Sequence, residues 1–224
     1  MLLAALPALM SCTEFFTNSW ASWAARDPDK LIPTVSAGNV DELLEMAEGD
    51  PDLSLAVLKK IRSASAKASG SDRQKLREAA IEASANAAGL GQAVLGAAEK
   101  LSGIDSAEDA LDLVLAALND MKNLEDASAE LFSTLPKGDD ADFDDFAAAA
   151  SADDLALAAI ILLAGEVKKN SDGNMADYIE EYITPMHELT EEEELALALA
   201  DALTGRLDEL SGPMKSVLEG LNLL

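Results

Sequence analysis

Apolar residues recur at helical spacing along most of this chain, and this pattern restricts the fold more than any other feature of the sequence. Two examples are the sets Leu53, Val57, Leu58, Ile61 and Leu111, Val114, Leu115, Leu118. Strictly alternating runs rich in Val, Ile, Thr and aromatic residues do not occur, so strands are not expected. Aromatic residues make up only 4% of the chain, which suits closely approaching helices with a core of Leu and Ala. The sequence therefore predicts an all-α protein.

Capping and stop signals divide the chain into about nine to ten predicted helices. Capping-box spacing occurs in four pairs: Asn39 and Glu42, Ser71 and Gln74, Ser106 and Asp109, Thr190 and Glu193. Asp50-Pro51 predicts another start, because proline is tolerated at the first helical position. Gly49, Gly70 and Gly89 are predicted stops. The predicted helices cover about 39–49, 51–69, 71–89, 90–101, 106–121, 123–134, 152–169, 174–183, 191–210 and 213–222.

The packing of these helices is predicted to be an irregular antiparallel bundle. Residues 155–165 are apolar on every side, which indicates a central helix too short to cross a bilayer. Helix-turn-helix units of this size, with Asp-Pro-Asp at 27–29 and 50–52, weakly resemble tetratricopeptide-like helical repeats. The sequence lacks the period of about 34 residues and the Trp, Gly and Tyr pattern of that family. A degenerate helix-hairpin repeat is therefore the alternative architecture.

The first twelve residues resemble the lipobox of bacterial lipoproteins. They form an uncharged apolar stretch that ends in Leu9-Met10-Ser11-Cys12, with a Leu three residues before the only cysteine and a small residue directly before it. The resemblance implies lipidation of Cys12 after removal of residues 1–11. No basic residue precedes Arg26, so an upstream start codon would have to supply the usual charge. The alternative is an apolar N-terminal helix over residues 2–10 that docks on the core.

An aromatic segment follows the cysteine and holds four of the nine aromatic residues of the chain. Phe15, Phe16, Trp20 and Trp23 are candidates for contact with a membrane interface, because the last three share one helical face. The alternative is that these rings fill a groove of the helical domain. These features divide the chain into a signal peptide over 1–11, a lipid-anchor and aromatic connector over 12–37, and an acidic all-helical domain over 38–224.

Charge is distributed unevenly along the chain, whose formal net charge is −26. Residues 1–77 carry 9 basic and 10 acidic residues, a difference of −1, and residues 78–224 carry 7 and 32, a difference of −25. A basic island lies between residues 59 and 77. Its members are Lys59, Lys60, Arg62, Lys67, Arg73, Lys75 and Arg77. The island either pairs with acidic residues of the same protein or forms a docking patch for anionic headgroups or an acidic partner.

The acidic excess excludes the usual nucleic-acid binding, which needs Lys and Arg. It is explained by a salt-rich or alkaline habitat, by a basic partner, or by loose cation binding at residues 138–145. Asp140, Asp142 and Asp144 have the spacing of the first ligands of a calcium loop. Asp145 stands where that loop needs Gly, and Ser151 where it needs Glu, so we expect solvated loops that lead into helices and no metal site.

The residues that most enzyme sites require are scarce. One Cys and one His, His187, exclude the usual zinc sites, and no phosphate-binding loop, nucleophile elbow or paired catalytic carboxylates can be identified. The sequence therefore predicts no catalytic residues and no cofactor. The favoured hypothesis is a lipid-anchored, non-catalytic protein of the bacterial cell envelope, on the periplasmic side or the cell surface, that binds an unidentified protein partner. The alternatives are a ligand-binding or transport-accessory component with a pocket, and a soluble acidic protein of a salt-adapted organism.

Overall fold

The computed structural model describes residues 32–90, 116–171, 188–211 and Lys215 of the 224-residue chain. From Val35 onward these residues belong to one compact unit, Val35–Leu224. The described residues form helices, turns and irregular segments and contain no strand. This part of the chain is therefore all-α, as the apolar spacing predicts.

Eight helices have described bounds. They are α1 (Val40–Ala47), α2 (Pro51–Ser65), α3 (Gly70–Ala88), α4 (Leu124–Phe132), α5 (Phe143–Ala149), α6 (Ala152–Asn170), α7 (Glu191–Thr204) and a 3-10 helix (Leu207–Glu209). Helices with described bounds thus number eight, fewer than the nine to ten predicted for the whole chain, and residues 116–120 are also helical. Predicted helices over 90–101, 174–183 and 213–222, and most of 106–121, lie outside the described residues.

Two helices begin with the side-chain chemistry that the sequence predicts. At α2 the Asp50 carboxylate accepts a hydrogen bond from the Leu53 amide at 3.1 Å, and Pro51 is the first helical residue. At α7 both halves of the capping box form. The Thr190 hydroxyl accepts from the Glu193 amide at 3.2 Å, and the Glu193 carboxylate accepts from the Thr190 amide at 2.8 Å. Such caps satisfy backbone amides that have no partner within the helix.

Two other predicted capping boxes are wrong. Asn39 precedes α1, but its side chain accepts hydrogen bonds from the Ser36 amide and hydroxyl, at 2.8 and 3.0 Å, and makes no capping bond. Ser71 lies inside α3, whose N-cap is Ser69. The Gln74 side chain donates to the Glu78 carboxylate, one turn towards the C-terminus. In both places a nearby polar group takes the side chain that the capping box would need.

The corner between α2 and α3 also differs from the prediction. The helix expected to end at Gly70 ends at Ser65, and Gly70 is instead the first residue of α3. The Arg73 side chain donates from Nε to the Ala68 carbonyl oxygen at 2.8 Å. This bond holds the intervening residues in a tight corner and so brings the end of α2 next to the start of α3.

The remaining helix ends agree with the prediction at two glycines and differ from it after Thr204. Gly49 and Gly89 follow α1 and α3, so these two predicted stops are confirmed, and both glycines are left-handed with φ of 78° and 73°. The helix predicted over 191–210 is interrupted after Thr204 and resumes as the 3-10 helix.

The short α5 was not predicted. Its apolar residues Phe143 and Phe146 are both buried, and burial stabilises a segment too short to be recognised by its pattern.

The core is arranged around α6. This helix contacts α3, α4, α7 and the 3-10 helix, and each residue of 155–165 is buried or half-buried. The predicted central helix is therefore confirmed. The largest fully buried side chains are Phe146, Leu58, Ile61, Leu76, Ile81, Leu124, Leu131, Leu155, Ile161, Leu162, Leu195 and Leu199.

A close helix crossing lies between α4 and α6. A Cβ atom placed on Gly165 would lie 2.2 Å from the Cβ of Ser128, which is shorter than any real contact between such atoms. The Ser128 hydroxyl donates to the Leu162 carbonyl oxygen of α6 at 3.4 Å. A glycine is therefore required at this crossing, because any side chain would force the two helices apart.

Candidate functional site

Three of the five arginines in the chain line one cleft. Arg62 comes from the last turn of α2, and Arg73 and Arg77 come from successive turns of α3 on one face of that helix. The opposite wall contains residues 133–136 and Asp140, and the volume of this open cleft is about 260 Å³. We call this space the arginine cleft.

The arginine cleft is formed by the basic island together with the corner between α2 and α3. The basic island runs through the end of α2 and the start of α3, and the corner at 66–69 folds these two stretches against each other. A cation in the last turn of a helix is also favoured by the helix dipole, which suits Arg62. Arginines that are separate in the sequence are thereby brought to one place.

Carboxylates from later elements pair with these arginines. Nη1 of Arg62 lies 3.1 Å from Oε2 of Glu130, which belongs to α4. Oδ2 of Asp142 lies 2.7 Å from Nη2 of Arg77 and 3.9 Å from Nη1 of Arg73. The hydrogen bond from Arg77 lowers the pKa of the Asp142 carboxyl below its ordinary value. Internal pairing, one of the two interpretations of the basic island, is thus seen for all three arginines.

Arg77 is the most enclosed of the three arginines. Its side chain is 11% exposed, and its guanidinium carbon lies 6.0 Å from the centre of the Phe146 ring. Its Nε is buried and has no hydrogen-bond partner among the described residues, and the same holds for Oε2 of Glu130 despite its contact with Arg62. A buried polar atom without a partner is destabilising by about 1–3 kcal/mol, so the arginine cleft is not fully satisfied by its own acceptors.

The four lysines of the basic island do not line the cleft. Lys75 pairs with Asp41 at 2.6 Å, Lys59 and Lys67 are exposed, and Lys60 is half-buried. The sequence grouped seven basic residues as one candidate patch, and the fold separates three arginines from four lysines. No signal in the sequence indicated Glu130 or Asp142 as the paired carboxylates.

Acidic residues of the run 138–145 make hydrogen bonds and ion pairs and begin a helix in the described structure. Asp140 accepts a hydrogen bond from the Lys137 amide at 2.7 Å, and Asp142 precedes α5 and pairs with arginines. Asp144 and Asp145 lie in the first turn of α5, where acidic residues suit the helix dipole. No group of three or more side chains able to hold a metal ion is found in the described parts of the chain.

A second cleft, of about 390 Å³, lies between residues 137–139 and the start of α7. Lys137 pairs there with Glu191 and lies 5.3 Å from the centre of the Phe132 ring. The hydrogen bond from this contact raises the pKa of Lys137 above its ordinary value. The other charged lining residues are Asp139 and Glu194, so this cleft has one cation among several carboxylates and is the electrostatic opposite of the arginine cleft.

Several sequence predictions fall on residues outside the described ranges. These are the lipidation candidate Cys12, the membrane-interface candidates Phe15, Phe16, Trp20 and Trp23, and His187. In the parts of the chain that the structure describes, none of the helices combines the length and the apolar character needed to cross a membrane.

Comparison with protein-family models, with curated proteins and with solved structures found no match to this chain.

Proposed function

We propose that this protein is a lipid-anchored, non-catalytic helical protein of the bacterial cell envelope that binds a protein partner or serves as an accessory to a membrane assembly. The observation that carries the proposal is the run Leu9-Met10-Ser11-Cys12, which matches a lipobox at three of its positions and holds the only cysteine of the chain. The lipid would be attached to Cys12, with residues 1–11 removed.

The aromatic segment after Cys12 supports attachment to a membrane. A single acyl chain of moderate length gives only marginal and reversible binding, so a stable anchor needs a second contact. Phe16, Trp20 and Trp23 share one helical face, and Trp favours the boundary between apolar and aqueous surroundings. This face would supply the second contact.

The charge distribution supports an orientation. Residues 78–224 carry 7 basic and 32 acidic residues, and an anionic membrane surface repels such a body. The basic island at 59–77 would therefore face the lipid, and the acidic body over 78–224 would project away from it towards a partner. A non-catalytic role is proposed because the sequence has one Cys, one His and no recognisable catalytic motif.

The experiment is mass spectrometry of the N-terminal peptide of the protein expressed in a bacterial host, together with comparison of membrane and soluble fractions. We expect a peptide that begins at Cys12 and carries the added mass of acyl chains, with the protein in the membrane fraction. Cys12→Ala should remove both the added mass and the membrane location. Thr17→Ala, a substitution in the same segment, should change neither.

An unmodified peptide that extends upstream of Cys12, from protein in the soluble fraction, would contradict the proposal. So would a Cys12→Ala variant that stays in the membrane fraction to the same extent as the unsubstituted chain. Either result would return residues 1–25 to the alternative of an apolar segment that packs on an acidic helical protein.

A further inference from the structure

The arginine cleft contains more hydrogen-bond donors than the described acceptors use. Each guanidinium carries five N–H donors in a fixed planar arrangement. Arg62 contacts Glu130, Arg77 contacts Asp142, and Arg73 donates from Nε to a backbone carbonyl. The buried Nε of Arg77 has no acceptor among the described residues. The guanidinium groups of the cleft therefore have N–H donors left for further acceptor oxygens.

The hydroxyl groups of Ser133 and Thr134 in the opposite wall are already used as donors. Ser133 and Thr134 each donate their hydroxyl hydrogen to a backbone carbonyl oxygen of α4, at 2.9 and 2.7 Å. The charged donors that the cleft offers to an anion are its three guanidinium groups. One of them, Arg77, also lies beside an aromatic ring, with its guanidinium carbon 6.0 Å from the centre of Phe146.

We propose that the arginine cleft binds a phosphate group, carried by a small phosphorylated solute or by a phospholipid headgroup. A phosphate monoester has a charge of about −1.5 to −2 at pH 7 and three acceptor oxygens, so it can engage several guanidinium groups at once. A carboxylate has two oxygens, which a single arginine fork satisfies. Three guanidinium groups around about 260 Å³ therefore favour phosphate. The inference goes beyond the proposed lipid anchor and does not depend on it.

The carboxylates of the cleft set the expected strength of binding. Asp142 lies within 2.7 Å of Arg77 and 3.9 Å of Arg73, so it competes with a phosphate for both arginines. Asp140 also lines the cleft and adds repulsion. Binding to the unsubstituted chain is therefore weak, and loss of the Asp142 charge strengthens it.

The test is calorimetric titration of inorganic phosphate into the full chain at constant pH and constant ionic strength, with chloride as the balancing anion. All proteins carry Cys12→Ala, so that no acyl chain is present. We expect Asp142→Asn to tighten binding by about tenfold, because it removes the charge that competes for Arg77 and Arg73. We expect Arg62→Gln to weaken binding by about tenfold, because it removes one charge-assisted contact with the ligand. Circular dichroism of each variant checks that its helices are retained.

Lys59→Gln is the matched control. Lys59 is exposed on the same helix as Arg62 and does not line the cleft, so both substitutions remove one positive charge from α2. We expect Lys59→Gln to change the affinity by less than about twofold, because water and salt screen an exposed charge at that distance. An equal effect of the two substitutions would overturn the proposal, because bulk charge alone would then explain binding. Absence of saturable binding in both the parent chain and Asp142→Asn would also overturn it.

Cosedimentation with vesicles distinguishes the two sources of phosphate. The vesicles contain phosphatidylcholine alone or phosphatidylcholine with phosphatidic acid, which presents a phosphate monoester. Binding to the second kind that Arg62→Gln abolishes supports a headgroup, and binding of free phosphate without vesicle binding supports a soluble ligand. Because all of these proteins lack Cys12, failure of the phosphate site leaves the mass of the N-terminal peptide, and so the lipid-anchor proposal, to its own test.

Discussion

Buried charge is handled in opposite ways at the α6–α7 pair and in the arginine cleft. Glu166 and Glu193 are 3% and 0% exposed, yet each is satisfied by its own chain neighbours. Glu166 accepts from Lys169 and Asn170 at 3.1 and 2.7 Å, and Glu193 completes the capping box with Thr190. In the cleft, Arg62 and Arg77 find their carboxylates on distant elements, α4 and the residue before α5.

This contrast distinguishes buried charges that serve only the packing of helices from charges that can also bind a ligand. A buried charge that is satisfied within one helical turn leaves no unused donor or acceptor for a ligand. The stability of α6 and α7 therefore depends on side-chain volume where helices cross and on helix capping. In the arginine cleft the ion-pair partners meet only in the folded chain, and hydrogen-bond donors remain unused. Its contribution to stability therefore depends on pH, on salt and on bound anions.

The largest effect is expected from Gly165→Ala at the crossing of α4 and α6. In an exposed helix this change would stabilise by about 1 kcal/mol. Here the new Cβ would lie 2.2 Å from the Cβ of Ser128, so the helices must separate, and we expect the free energy of unfolding to fall by about 1–3 kcal/mol. Urea denaturation measures it.

Two further variants make this prediction specific to the contact. Gly205→Ala is the control, because its Cβ would meet nothing within 4 Å and its φ is −84°, so its effect should be small. Ser128→Gly in the Gly165→Ala background removes the clashing atom and should recover part of the loss. A Gly165→Ala variant as stable as the parent chain would contradict the close crossing.

A smaller effect is expected from Thr190→Ala at the start of α7. The substitution removes the hydroxyl that accepts from the Glu193 amide, so we expect a loss of about 1 kcal/mol in the free energy of unfolding. Ser69→Ala is the matched control, since Ser69 is the N-cap of α3 but makes no side-chain capping bond. Equal losses in the two variants would mean that the capping box contributes nothing beyond general helix propensity.

The sequence predicts the elements whose signals are local. The Asp50-Pro51 start, the Thr190 and Glu193 box and the apolar run 155–165 depend on residues within a turn or two of each other. The short α5 could not be predicted in this way. Its stabilisation comes from the burial of Phe143 and Phe146 against other elements, and seven residues are too few for a helical pattern to stand out.

The candidate site could be predicted only in part for the same reason. A basic island around residues 59–77 is visible in the sequence, but the corner at 66–69 decides that Arg62, Arg73 and Arg77 converge while the lysines do not. The choice of Asp142 as their partner, from 42 acidic residues in the chain, is made by tertiary structure alone.

The smallest effect, and the one that separates the two regions most directly, is the pH dependence of Asp142→Asn. Because Arg77 lowers the pKa of Asp142 in the folded state, the folded chain holds this proton less tightly than the unfolded chain, whose pKa is near 3.8. The ion pair therefore stabilises the fold fully above about pH 5, and this contribution is lost as the pH falls below 4 towards the lowered pKa. The Asp142 side chain is 42% exposed, so solvent limits the contribution to at most about 1 kcal/mol near pH 7.

Asp201→Asn supplies the reference for this measurement. Asp201 is exposed on α7, and its substitution changes the net charge by the same amount, so subtracting its effect removes the general repulsion within a chain of charge −26. The remaining stability difference should shrink both on acidification below pH 4 and in about 1 M salt. The loss caused by Gly165→Ala should stay constant under the same changes, because a steric contact has no charge to titrate or screen. A difference for Asp142→Asn that does not vary with pH would mean that the arginine cleft is held by shape, as the α4–α6 crossing is, and not by charge.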